Sequence, residues 1–160
     1  ASDANERASK LEVQNLELQQ LMQPRYMTDE QQRSISKALR RFSGRPIEVW
    51  SSAYDNEAYF LARHLVSVFK KAGFVVIDGS GKSPSSQLAA LERGIRMICS
   101  KSQRDAAEAI RDALIDIWRS ERRHIVIEDS IIGYGNNVTK PDPGETLRVI
   151  VMGRPLPEFK

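Results

Sequence analysis

From residue 46 onward, short apolar runs alternate with stripes of helical period, and this alternation restricts the fold more than any other feature of the chain. Ile47 to Ser51 reads as a strand with Ile47 and Val49 on one face. Asp55 stands where it would cap a helix whose apolar stripe is Ala58, Leu61, Ala62, Leu65, Val68, Phe69 and Ala72, and Gly73 ends that helix. Phe74 to Ile77 is a continuous apolar run, the pattern of a strand covered on both faces. A polar loop from Asp78 to about Gln87, with a helical turn near Leu88 to Leu91, leads to a third strand at Ile95 to Cys99. Ser102 and Asp105 then signal a second helix, carrying Ala106, Ile110, Ala113, Leu114, Ile117 and Trp118 on one side. Ile125 to Ile127 and Leu147 to Met152 are the last strands, separated by a Gly/Asn/Pro-rich excursion.

Strand, helix, strand, strand, helix, strand is the order of a split βαβ (ferredoxin-like) sandwich, a fold of the α+β or α/β class. Right-handed crossovers place both helices on one face of the sheet. The final strand is expected at an edge, or beside the fourth as a hairpin. A small doubly wound sheet competes; the split arrangement is preferred because little helix lies between the second and third strands.

The segment before this domain is of another kind. Residues 1–23 contain no Gly or Pro and are rich in helix formers. Ala4, Ala8, Leu11, Asn15, Leu18 and Met22 recur at alternating steps of four and three, the seam of a coiled coil. A polar Asn15 in that seam favours a parallel pair in fixed register. Pro24 stops the helix, which makes residues 1–25 a stalk and 26–160 a small α/β domain. Thr28 and Gln31 form a capping-box signal for a collar helix over 28–42, with Ile35, Ala38, Leu39 and Phe42 as its stripe.

Composition excludes several classes. The 160 residues are 41% hydrophobic and 28% charged, outside the disordered and low-complexity ranges. A single cysteine, Cys99, cannot form an internal disulfide, and no apolar run reaches the length of a membrane span. The net charge is only +3. Basic residues gather at Lys37, Arg40, Arg41 and Arg45, and again at Arg119, Arg122, Arg123 and His124. Such clusters hold phosphates or acidic lipid surfaces in some proteins, and are solvated helix ends in more of them. No aromatic ladder accompanies them, so a nucleic-acid partner is not expected.

Four groups of residues raise the question of chemistry. Gly81-Lys82-Ser83 resembles the end of a P-loop, but the glycine required five positions before Gly81 is replaced by Val76, and Pro84 follows where a helix should begin. Asp78, Ser80, Lys82 and Ser83, together with Tyr134 in the Gly/Asn-rich excursion, are nonetheless candidate ligand-binding residues at the strand ends. Asp55, Glu57, Glu128 and Asp129 are acids near strand ends, and Glu128-Asp129 meeting Asp55 would supply a carboxylate pair for hydrolysis. His64 and His124 belong to no cluster with metal-ligand spacing, so neither a metal nor another cofactor is expected.

Leu18 to Leu21, Pro24-Arg25-Tyr26-Met27-Thr28, Glu30-Gln31-Gln32 and Leu39-Arg40-Arg41-Phe42-Ser43-Gly44 resemble a recurrent stretch of uncharacterised bacterial inner-membrane proteins. In those proteins transmembrane helices lead into a coiled coil and then a small C-terminal α/β domain. Glu57, Ala72-Gly73-Phe74 and Gly94-Ile95 continue the resemblance, with Phe74 where the family has Trp, and Gly153-Arg154-Pro155 approximates its terminal signature. The resemblance implies a membrane anchor upstream of Ala1 and inner-membrane association, with the domain held near the bilayer by the stalk; the homo-oligomer is expected from the seam of the N-terminal helix. It transfers no catalytic residue. From the absent leader and unpaired cysteine, the expected side for the domain is the cytoplasmic face.

The expectation is therefore a soluble, self-associating domain of a membrane-anchored protein that senses or recruits an unidentified protein partner without catalysis, assembled through Leu11, Asn15, Leu18 and Met22. Binding of a small molecule or nucleotide at the strand ends, and hydrolysis by the strand-end carboxylates, are the alternatives.

Overall fold

The computed structural model describes residues 2–22, 24–83, 94–129 and 146–153. They form two compact units divided between Arg25 and Tyr26.

In the first unit a single helix, α1, runs over Ser2–Met22. Lys10 Nζ pairs with Glu6 Oε1 at 2.9 Å, one turn apart on its surface.

The second unit opens with α2, Asp29–Leu39, followed by a 3-10 turn at Arg40–Phe42. The expected capping box forms: Thr28 Oγ1 accepts from the Gln31 amide, and Gln31 Oε1 accepts from the Thr28 amide. Met27, Ile35, Leu39 and Phe42 enter the hydrophobic core, so this helix belongs to the domain's helical layer. Ala38 is exposed; Ser36 is buried in its place, and its hydroxyl lies 2.7 Å from the Gln32 carbonyl and 3.1 Å from that of Val68. A small side chain with its proton committed to backbone oxygen lets α2 approach α3 closely.

The remaining elements are β1 Pro46–Ser52, α3 Asn56–Ala72, β2 Val75–Ser83, β3 Ile95–Cys99, α4 Arg104–Ile117, β4 Ile125–Asp129 and β5 Leu147–Val151. Asp55 Oδ1 accepts from the Ala58 amide at 2.9 Å and caps α3, whose expected stripe is buried throughout. The Ser102–Asp105 cap of α4 does not form. A 3-10 turn at Lys101–Gln103 leads into the helix, and Asp105 turns outward to Arg45, with Nη1···Oδ1 at 2.6 Å and Nη2···Oδ2 at 3.1 Å.

The sheet is mixed, with strand order β2-β1-β5-β3-β4. β1 runs parallel to β2 and to β5, β3 runs parallel to β4, and β3 and β5 are antiparallel. This corrects the split βαβ expectation, in which each crossover skips a strand: here β1-α3-β2 and β3-α4-β4 each join neighbours. It also corrects the place of the last strand. β5 is central, between the two crossover units, and β2 is an edge. The two strands therefore exchange the roles that their sequences suggest. Leu147, Val149 and Val151 are fully covered and Ile150 is 7% exposed, whereas Val75 and Ile77 are 60% and 47% exposed.

Alternation along each strand separates the two faces. Ile47, Val49, Ile95, Met97, Cys99, Leu147, Val149 and Val151 meet α2, α3 and α4 in one core. On the other face, Glu48 Oε2 accepts from Arg148 Nε at 2.9 Å and from Trp50 Nε1 at 3.1 Å. Beside them on that face Arg96 pairs with Glu128 at 2.7 Å.

Candidate functional site

The parallel strands β1, β2 and β5 end on the same side of the sheet, where ligand sites of α/β proteins commonly lie. Asp78, Ser80 and Lys82 are brought together there. The segment from Asp78 onward continues β2 to Ser83, where the sequence suggests a loop. Trp50 pairs with Gly79 and Ser52 with Ser83, so β2 advances four residues while β1 advances two, and the excess forms a bulge.

Side chains on either flank hold this bulge. Asp78 Oδ1 accepts from the Ser80 hydroxyl at 2.5 Å and from the Ser80 amide at 3.0 Å, and Asp78 Oδ2 meets Arg63 Nη1 of α3 at 2.7 Å. Lys82 Nζ donates to the Asp78 carbonyl at 3.1 Å. Gly81, at φ +67°, directs its amide to the fully buried Ser51 hydroxyl at 2.9 Å, and Tyr59 packs over its Cα. Partial burial alone would raise the Asp78 carboxyl. The two hydrogen bonds from Ser80 and the charges of Arg63 and Lys70 outweigh it and hold the group below the usual carboxylate range.

This chemistry faces inward. A phosphate cradle needs several convergent amides open to the ligand, whereas the Ser80 and Gly81 amides are bound to side chains within the bulge. Ser83 contributes backbone to β2, and Tyr134 lies outside the described residues. Arg63 and Ser51, which secure the bulge from a helix and a neighbouring strand, went unnoticed in the sequence. Nothing in their local pattern announces contacts 15 and 30 residues away.

The meeting of carboxylates that the hydrolase alternative requires does not occur. Asp55 and Glu57 follow β1, and Glu128 and Asp129 end β4; because β1 and β4 run in opposite senses, the two pairs stand at opposite ends of the sheet. Among the described residues no group of three or more His, Cys, Asp or Glu side chains is placed to hold a metal. None of the described helices is long and apolar enough to cross a membrane.

Of the assembly residues, Leu11 is 60% exposed and Asn15 is exposed on α1. Leu18 and Met22 lie on the same helix, with side chains outside the described set. Val13 and Leu16, which lie off that seam, are also apolar and are 55% and 58% exposed. Compared with models of protein families, with curated proteins and with solved structures, the chain matches none.

Proposed function

We propose that this chain is a non-catalytic, self-associating module of a membrane-anchored protein, in which α1 joins copies of the chain and the α/β unit presents a surface to a partner. The observation that carries the reading is the exposure of the seam positions Ala4, Ala8, Leu11 and Asn15 along one 21-residue helix. A lone helix gains little beyond marginal stability in water. Each leucine transferred from water into a seam contributes about 1.5–3 kcal/mol. Pairing through Leu11 and Leu18 therefore supplies what a single α1 lacks, and Asn15 in the same seam selects a parallel register. Joining two domains by one stalk raises their mutual concentration to roughly millimolar, enough for weak contacts to act. The membrane anchor rests on the family resemblance, and the cytoplasmic setting on the unpaired Cys99.

Small-molecule binding at the strand ends has less support, because the donors of the β2 bulge are engaged within it. Sedimentation velocity over a range of loading concentrations tests the proposal. The chain should sediment as an oligomer, and the double variant Leu11→Glu/Leu18→Glu as a monomer with an unchanged domain. A chain that is monomeric at the highest concentration refutes assembly through α1.

A further inference from the structure

Arg33 and Lys37 of α2 and Arg40 of the 3-10 turn that follows recur at steps of four and three, on the side away from Ile35 and Leu39, and all three are exposed. With Lys71 from the end of α3 they line a groove of about 400 Å³, and Ser36 is the other described residue that lines it. Among the described residues no carboxylate lines it. Two neighbouring cations show the contrast. Arg41 lies 4.8 Å from the centre of the Phe42 ring, and Arg45 lies 5.0 Å from the same ring while it pairs with Asp105. Arg45 is thus ion-paired and Arg41 lies over a ring, whereas Arg33, Lys37, Arg40 and Lys71 have neither kind of contact among the described residues.

Helix ends account for part of this charge. Lys37 and Lys71 stand in the last turns of α2 and α3, where exposed carbonyls favour cations. Arg33 lies earlier in its helix and Arg40 beyond it, and like charges one turn apart repel. A concave surface lined by two guanidinium and two ammonium groups is complementary to a compact polyanion. Guanidinium forks match the paired oxygens of a phosphate. The groove's volume falls in the small-ligand range. The Ser36 hydroxyl already donates to backbone carbonyls, so the ligand's contacts come from the four cations.

We propose that the groove between α2 and α3 binds a phosphate-bearing anion through Arg33, Lys37, Arg40 and Lys71. The proposal is independent of assembly through α1. A free phosphorylated molecule and a lipid headgroup share this chemistry, and two assays on the full chain separate them. One is calorimetric titration with sodium tripolyphosphate. The other is flotation with phosphatidylcholine vesicles, with and without phosphatidylglycerol. Arg33→Glu/Arg40→Glu removes groove charge, and Arg122→Glu/Arg123→Glu makes the same change in net charge elsewhere on the surface.

Tripolyphosphate bound at one site per chain, weakened at least roughly tenfold by the groove variant and little by the other, supports a free ligand. Flotation that needs phosphatidylglycerol and fails only in the groove variant supports a headgroup. Absence of binding in both assays, or equal loss in the two variants, overturns the proposal. If charge reversal prevents folding, Arg33→Gln/Lys37→Gln set against Arg122→Gln/Arg123→Gln provides the comparison at equal net charge, with circular dichroism verifying the fold.

Discussion

Removing either partner of the Glu48–Arg148 pair should cost unequal amounts, and the structure says which costs more. The Glu48 side chain is 5% exposed and that of Arg148 is 35% exposed. Arg148→Met leaves a buried carboxylate with the Trp50 indole N–H as its remaining donor among the described residues, a case that costs about 3 kcal/mol or more. Glu48→Met leaves a guanidinium that still reaches water and one unpaired indole donor, for about 1–2 kcal/mol. Replacing both by methionine removes the charges together and should return stability to within about 1 kcal/mol of the parent. Urea unfolding followed by circular dichroism measures all four corners of the cycle, with an unchanged slope showing that the unfolded state is the same. If Glu48→Met costs as much as Arg148→Met, or if the double variant loses the sum of the two, the argument from unequal desolvation fails.

Three further outcomes follow from particular contacts. Gly94 holds φ +128° and a Cβ there would overlap the His124 carbonyl oxygen, so Gly94→Ala should destabilise by about 3 kcal/mol or more in thermal unfolding. Asp78→Ala removes the acceptor that organises the β2 bulge; it should cost about 1–2 kcal/mol and speed hydrogen exchange at the Ser80 and Gly81 amides, and unchanged exchange would count against the bulge being held this way. The hydrogen bond from Arg45, working against partial burial, holds the Asp105 carboxyl below its usual range. Its folded value therefore lies under the unfolded one, so the stabilisation is complete above about pH 4 and disappears as pH falls through the folded value. Asp105 is 57% exposed, which limits the loss in Asp105→Asn to about 0.5–1 kcal/mol at neutral pH, and that difference should shrink in acid titration.

Periodicity disclosed the elements because burial on one face leaves a local record: every residue of the α3 stripe is covered, as are Ile95, Met97 and Cys99 on β3. Strand order leaves a weaker one. The apolar run of β2 suggests a central strand, yet Val75 and Ile77 face solvent at an edge. Val149 to Met152 is equally apolar, and there the run does mark a strand covered on both faces. Which of two such runs takes the centre depends on pairing partners far along the chain. The same distance hides Glu48 from Arg148 and Arg45 from Asp105, 100 and 60 residues apart. At the candidate site, Asp78, Ser80 and Lys82 were visible as a polar cluster, whereas the bulge that turns their hydrogen bonds inward depends on Ser51 and Arg63. Half of the basic groove, Lys37 and Arg40, stood out as a cluster of charge; Lys71 joins them only when α3 packs beside α2.

Disulfide trapping on α1 tests the assembly most directly, since the chain's own cysteine, Cys99, is buried. Asn15→Cys should cross-link two chains rapidly under mild oxidation, because a parallel seam brings the two copies of position 15 face to face, while Gln14→Cys should lag well behind. Equal rates at the two positions, or no covalent dimer at either, would contradict a parallel pair built on that seam.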